Sequence, residues 1–175
     1  MLRKIPKPLA GEFAPYTSMY FDLLPNDEMV LTHLKESVAK TADFIRSFPE
    51  EACAIPHAAG EWTIKEIMVH VNDDERIYAY RALRFARNDS TELPGFEQDE
   101  YVPYSEANAR SIEDILAEFA AVRAATISLF NSFSDKDLLR QGVGSGNPLS
   151  VRAAAYHIAG HELHHVESIK ENYLD

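Results

Sequence analysis

Four stretches of the chain repeat apolar residues at steps of three and four, the period of an amphipathic α-helix. The second stretch opens on the capping box Thr63-x-x-Glu66, and the fourth opens on Ser150, a residue that favours helix starts. No segment alternates apolar and polar residues as a half-buried strand does. The pattern predicts an all-α protein, most simply a four-helix bundle. The predicted helices cover about 25–48, 63–87, 111–132 and 151–172.

The connections between these helices differ in character. Residues 1–24 are Pro-rich and predicted to be irregular, and residues 89–105 form a long loop between the second and third helices. Loops of this length in compact domains are often functional. Asp135–Leu139 is predicted to add one helical turn, and the glycine-rich 142–148 segment to be a flexible connector. The long loop leaves the order of the helices around the bundle open.

Composition narrows the class of protein. The 175 residues predict a single domain spanning 1–175, and 17 Lys plus Arg against 28 Asp plus Glu give a net charge of −11. This charge disfavours a nucleic-acid partner. The single cysteine, Cys53, excludes an internal disulfide and is interpreted as a packing residue. We find no signal-peptide pattern and no run of about 18 apolar residues, so we expect a cytoplasmic protein without a membrane span.

Four of the seven histidines lie within nine residues of the last helix: His157, His161, His164 and His165. Imidazoles one helical turn apart can share a divalent metal ion. A helical projection turns His161 and His165 toward the buried face, and turns His157 and His164 toward solvent or another helix. The alternative, that the inward pair are hydrogen-bonded core residues, stays open at this point.

A third metal ligand is available on the second helix. His70 begins a polar stripe that continues through Asp74, Arg81 and Arg84 and flanks the apolar face. Three protein ligands leave one coordination position open, which is typical of catalytic zinc sites. Asp73 and Asp74 are alternative candidates for a ligand or for an acceptor behind one, and Asp74 is also a candidate catalytic group. Arg81 and Arg84 would clamp a carboxylate of a substrate or a thiol, or pair with acids of the protein itself.

The run His161-Glu162-Leu163-His164-His165 also matches the H-E-x-x-H signature of metalloproteases, with Glu162 as general base. That signature takes its third ligand well downstream, and only ten residues follow His165. We therefore interpret the match as coincidental in mechanism. Glu162 projects toward the interior and remains a candidate acceptor or proton shuttle. Trp62, just before the second helix, is either a packing residue or a platform for substrate.

Longer stretches carry a family resemblance. Residues 62–70, 74–89, 93–99 and 151–165 resemble the second helix, the following loop and the last helix of the YfiT-like branch of the DinB superfamily. The resemblance extends from about Pro25 to Leu174. It implies a four-helix bundle in which one histidine of the second helix and an H-x-x-x-H pair of the fourth hold a metal. These positions correspond to His70, His161 and His165.

The resemblance also implies an activity. It suggests a divalent metal, zinc or nickel, and either metal-dependent hydrolysis or transfer of a low-molecular-weight thiol such as bacillithiol to an electrophile. The partner would be a small molecule, and relatives often form homodimers. A metal- or ligand-binding helical module without turnover is the alternative. The catalytic candidates are Glu162 and Asp74, and the substrate-binding candidates are Arg81, Arg84 and Trp62.

Overall fold

The computed structural model describes residues 1–174, and its two longest helices begin where the caps predict. In this range the helices are α1 (Ser18–Asp22), α2 (Val30–Arg46), α3 (Ile64–Ala86), α4 (Gln98–Tyr101), α5 (Ile112–Ser132), α6 (Asp135–Leu138) and α7 (Val151–Tyr173). Two strands, β1 (Gln141–Gly144) and β2 (Asn147–Ser150), precede α7. Single 3-10 turns lie at Pro15–Thr17, Ala52–Ala54, Val102–Tyr104 and Ala107–Ala109.

The predicted helix starts rest on specific hydrogen bonds. The Thr63 hydroxyl accepts the Glu66 N–H at 3.1 Å, and the Glu66 carboxylate accepts the Thr63 N–H at 2.8 Å. The Ser150 hydroxyl accepts the Ala153 N–H at 3.0 Å in the same way. The first bundle helix begins later than predicted, at Val30, because Glu28 has a positive φ of 62° that no helix accommodates.

The four long helices form a bundle, as predicted. Helix α3 packs mainly against α5 and α7, and α2 packs against the same two helices. The helices consecutive in the chain, α2 and α3, therefore lie diagonally across the bundle, joined by the 47–63 segment. This arrangement answers the question of helix order that periodicity left open: the bundle is not a simple up-and-down meander.

The 142–148 segment is a correction to the sequence analysis, which predicted no strand and a flexible connector. It forms most of an antiparallel β1–β2 hairpin. Ser145 and Gly146 have φ values of 54° and 72°, the left-handed pair that a tight two-residue hairpin turn requires. The Leu93 N–H donates to the Val143 carbonyl at 2.9 Å and fixes the hairpin to the long loop. The two strands contain Gly142, Gly144 and Pro148, residue types that are depleted in strands, so their sequence does not resemble a strand.

The N-terminal segment is also more ordered than predicted, because α1 docks on α7. A Cβ added at Gly160 would lie 2.1 Å from the Tyr20 carbonyl oxygen, so the approach of the two helices requires glycine at this position. The approach brings the Tyr20 ring edge-on to His157 and His161, at centroid distances of 5.2 and 5.5 Å.

We expect Gly160→Ala to displace α1 and to lower stability by about 1–3 kcal/mol, the usual cost of forcing a methyl group into a packed contact. Thermal denaturation gives the change in midpoint, and hydrogen exchange of residues 15–24 locates it. Wild-type stability together with unchanged protection of this segment would contradict the role assigned to Gly160.

Helix α5 is long and apolar enough to cross a membrane by length and composition, which the sequence analysis did not anticipate. In the described structure it packs against α2 and α3 and carries Arg123, whose side chain is fully buried. Of the apolar window of α5, 33% is buried in this packing, so the packing accounts for part of the apolar character of the helix.

Candidate metal centre

Three histidine side chains converge where α3 packs on α7. The Nε2 atom of His161 lies 3.0 Å from Nε2 of His70 and 3.1 Å from Nε2 of His165. One ligand atom from each residue lies within 4.8 Å of the other two. His70 and His161 are buried, and His165 is half-buried. The structure thus brings together the three residues that the sequence proposed as ligands.

The donor set fits a divalent cation. A ring nitrogen carries one proton or one lone pair, so Nε2 of His161 makes one linear hydrogen bond and cannot satisfy both neighbouring nitrogens. A cation accepts all three lone pairs at once. Ligands bound at about 2.0–2.1 Å in a tetrahedron are separated by about 3.3 Å, close to the separations across His161. Three imidazoles suit Zn, Ni, Cu or Fe.

Burial keeps these imidazoles neutral, as a metal ligand must be. Burial lowers the pKa of His161 to about 3 and that of His165 to about 2, and it also lowers the pKa of His70. At neutral pH all three rings can therefore present a lone pair.

Asp74, one turn after His70, lies behind the cluster. Its Oδ2 atom is 3.4 Å from Nδ1 of His161 and 3.1 Å from Nε2 of His157. Burial raises the pKa of Asp74, but the neighbouring His161 and His157 outweigh burial and hold that pKa below its ordinary value. A carboxylate facing Nδ1 favours the tautomer of His161 that leaves Nε2 free to bind a metal.

The helical projection correctly turned His161 and His165 inward, but it ranked the burial of the histidines wrongly. It placed His165 deeper than His161, whereas His161 is buried and His165 is half-buried. His157, which it turned toward solvent or another helix, is buried against α3 and stacks on Tyr78 with ring centroids 3.6 Å apart. The first half of α7 is buried on every side, because α1, α2 and α3 all pack on it, so no single face defines its interior.

Glu162 lies in a separate buried network. Its carboxylate is 2.8 Å from the Arg123 guanidinium and accepts hydrogen bonds from Ser37 at 2.8 Å and Thr41 at 2.6 Å. Arg123 also pairs with Glu75 at 2.8 Å. The projection of Glu162 toward the interior is confirmed, but the structure does not bring this carboxylate to the histidines.

The predicted substrate-binding residues divide into three environments. The Trp62 ring lies 5.0 Å from the His70 ring, beside the cluster. Arg84 pairs with Asp89 and stands away from the cluster, as its structural interpretation predicts. Arg81 is buried about three turns further along α3 than His70, where its guanidinium donates to the Ser145 hydroxyl at 2.8 Å. Cys53 is fully buried as a packing residue, and burial raises the pKa of its thiol.

A cleft of about 500 Å³ opens over the histidines. Aromatic side chains form much of its wall, and the long loop closes one side with Phe96, Glu97 and Gln98. Tyr16 and Tyr20 also line the cleft, which could not be predicted because the N-terminal segment shows no periodic pattern. The cleft lining also includes Trp62, Tyr78, Ser145 and His164.

These features define a helical-bundle protein with a candidate three-histidine metal centre beneath an open cleft. The sequence profile of the DinB superfamily matches residues 33–169, and the chain belongs to that superfamily. The resemblance seen in the sequence is thereby confirmed.

Individual relatives agree with this assignment. A protein of Oceanobacillus iheyensis whose name gives it as a candidate metal-dependent hydrolase is 22% identical over 142 residues, covering 80% of this chain and 81% of the relative. The structure of YfiT from Bacillus subtilis, described as a probable metal-dependent hydrolase with an unusual four-helix bundle topology, matches with a TM-score of 0.74. That match has 14% identity and covers 95% of this chain and 91% of YfiT.

A second structural relative is a mycothiol-dependent maleylpyruvate isomerase. It matches with a TM-score of 0.64 and 12% identity over 83% of this chain and 61% of the isomerase. Both structural matches establish a shared fold.

Proposed function

We propose that this protein is a divalent-metal-dependent enzyme whose metal is held by His70, His161 and His165. The observation that carries the proposal is the convergence of three neutral imidazole nitrogens on the floor of an open cleft. Three ligands leave a coordination position for a reactant, as in catalytic rather than structural sites. Imidazole suits Zn, Ni, Cu and Fe alike, and zinc and nickel are the proposed ions because the family resemblance implies them.

The protein's own residues prepare this centre. Asp74 fixes the orientation of His161, and the stacked pair of His157 and Tyr78 supports Asp74 from behind. Trp62 and Tyr20 border the cluster and restrict the approach of reactants to the cleft. A bound divalent cation supplies a Lewis acid that lowers the pKa of a coordinated water or thiol.

Hydrolysis is the first candidate reaction. The names of the Oceanobacillus relative and of YfiT support it. Hydrolysis needs a group that accepts a proton from water. Asp74 is committed to two imidazoles and Glu162 to Arg123, so Glu97, which lines the cleft from the loop, is the carboxylate proposed for this task.

Transfer of a low-molecular-weight thiol, of the bacillithiol type, is the second candidate. Asp74 contacts His161, and Glu162 pairs with Arg123, so neither carboxylate is free to act as a base. This favours thiol transfer, because a thiol ionises more readily than water and needs no strong base. The mycothiol dependence of the structurally related isomerase is in keeping with such a reaction. The buried Cys53 leaves the thiol to arrive as a co-substrate.

The test uses untagged protein loaded with zinc or nickel, assayed on ester and amide panels and on electrophiles with low-molecular-weight thiols. We expect turnover in one of these panels, and we expect that turnover to disappear when a chelator removes the metal. Glu97→Gln should reduce hydrolysis by about 100-fold or more, the lower end of a general-base contribution, and leave thiol transfer unchanged. Saturable metal binding without turnover in either panel would favour the non-catalytic module instead.

We expect Asp74→Asn to weaken metal binding by about 10- to 100-fold, the usual effect of removing an acceptor that orients a ligating histidine. Competition with a chromogenic chelator measures the affinity. The matched control is Asp73→Asn, because Asp73 is the neighbouring carboxylate but faces Arg76 at 3.6 Å. Equal losses in the two variants would show that Asp74 acts only through general charge.

A further inference from the structure

Arg81 differs from the other buried cationic residues of the described chain. Among residues 1–174, Arg123, Arg152 and Lys65 are 0%, 8% and 5% exposed, and each pairs with a carboxylate: Glu75 and Glu162, Glu12, and Glu50. Arg81 is 3% exposed, and no carboxylate among these residues lies within the 4.0 Å of an ion pair. A buried charge without a counter-charge is unfavourable, so a guanidinium held in this way beside a cleft is a candidate binding group.

The surroundings hold the Arg81 side chain in place without neutralising it. Its Nη2 atom donates to the Pro94 carbonyl at 3.0 Å and to the Ser145 hydroxyl at 2.8 Å. Nη1 and Nε have no acceptor among the described residues. The guanidinium lies over the Tyr78 ring at 5.0 Å and the Phe96 ring at 5.9 Å. A positioned guanidinium with free N–H donors is suited to recognition of a planar anion.

Arg81 lines a second cleft, of about 290 Å³. Its walls are largely apolar, and include Ile77, Leu93, Phe96 and Tyr101. Phe96 and Gly95 also line the cleft above the histidines, so the two clefts meet at the long loop. Arg81 follows His70 by 11 residues on α3, a rise of about 16 Å along the helix.

We propose that Arg81 binds the carboxylate of a small substrate whose aliphatic or aromatic body fills the second cleft. The reactive end of the same molecule extends past Phe96 to the histidine centre. This second part of the inference rests on the proposed function. A carboxylate fits better than a multiply charged anion, because it is planar like the guanidinium and meets less repulsion from a protein of net charge −11.

The ligand test titrates metal-free protein with 4-phenylbutyrate and with its neutral amide, followed by NMR or calorimetry. We expect the acid to bind at least tenfold more tightly than the amide. Arg81→Met should remove this preference, and Arg81→Lys should retain part of it, since lysine keeps the charge but loses the planar fork. Arg84→Met is the matched control, because Arg84 lies on the same helix and pairs with Asp89.

Equal binding of the acid and the amide by the wild type would overturn the proposal, and this comparison needs no variant. So would an unchanged preference in a folded Arg81→Met variant, with folding checked by circular dichroism. The His70→Ala variant separates this proposal from the metal proposal: it should lose metal and keep the preference for the acid. A preference that persists in a protein that binds no metal would leave the Arg81 site standing while the proposed function fails.

Discussion

His161→Ala is expected to abolish stoichiometric metal binding, with a fall in affinity beyond the roughly 100-fold loss seen for groups that only orient a ligand. Three observations single out His161: its Nε2 contacts those of both His70 and His165, its Nδ1 faces Asp74, and its ring is buried. Alanine removes the ring nitrogen that lies within 3.1 Å of Nε2 of both His70 and His165. Elemental analysis of untagged protein dialysed against micromolar zinc or nickel measures the loss.

His164→Ala is the control for that measurement. His164 lies on the same helix and next to His165, but it is outside the group of converging ligand atoms. It should retain one ion per chain. Equal metal content in the His161 and His164 variants would contradict the proposed ligand set, and so would a wild-type protein that takes up no ion.

Arg123→Met is expected to lower the free energy of unfolding by about 3–5 kcal/mol, the usual cost of removing one partner from a buried ion pair. Methionine roughly preserves the apolar volume but leaves Glu75 and Glu162 buried without a counter-charge. Burial opposes the charge of Arg123, yet the two carboxylates outweigh it and raise the pKa of the guanidinium. Urea denaturation measures the change.

Two further variants identify the cause of that loss. Adding Glu75→Gln and Glu162→Gln to Arg123→Met should recover part of the stability, because no uncompensated charge then remains in the core. Arg46→Met removes an exposed arginine paired with Glu113 and should leave the unfolding midpoint close to that of the wild type. If removal of the carboxylates destabilises the protein further, uncompensated charge is not the cause.

Much of the bundle was predictable because its signals are local. The apolar period and the caps at Thr63 and Ser150 depend on residues three or four apart, and they located α3 and α7 to within about a residue. The diagonal placement of α2 and α3 depends on contacts between distant segments, which no local pattern encodes. The docking of α1 likewise depends on the absence of a side chain at Gly160, on another helix.

The candidate site was likewise predictable only where its signals are local. Spacing and family resemblance identified His70, His161 and His165, because ligands on one helix must recur each turn. The partners of Glu162 and Arg81 were not predictable, since Arg123, Ser145 and Phe96 reach them from other elements. The single domain spanning 1–175, homodimer assembly and cytoplasmic localisation stay predictions.

The most direct test of the metal centre is anomalous diffraction from crystals of the untagged protein, recorded on both sides of the zinc and nickel absorption edges. We predict one ion per chain, about 2.0–2.1 Å from Nε2 of His70, His161 and His165. An ion bound elsewhere, or no anomalous peak between the three rings in crystals grown with zinc or nickel, would contradict it.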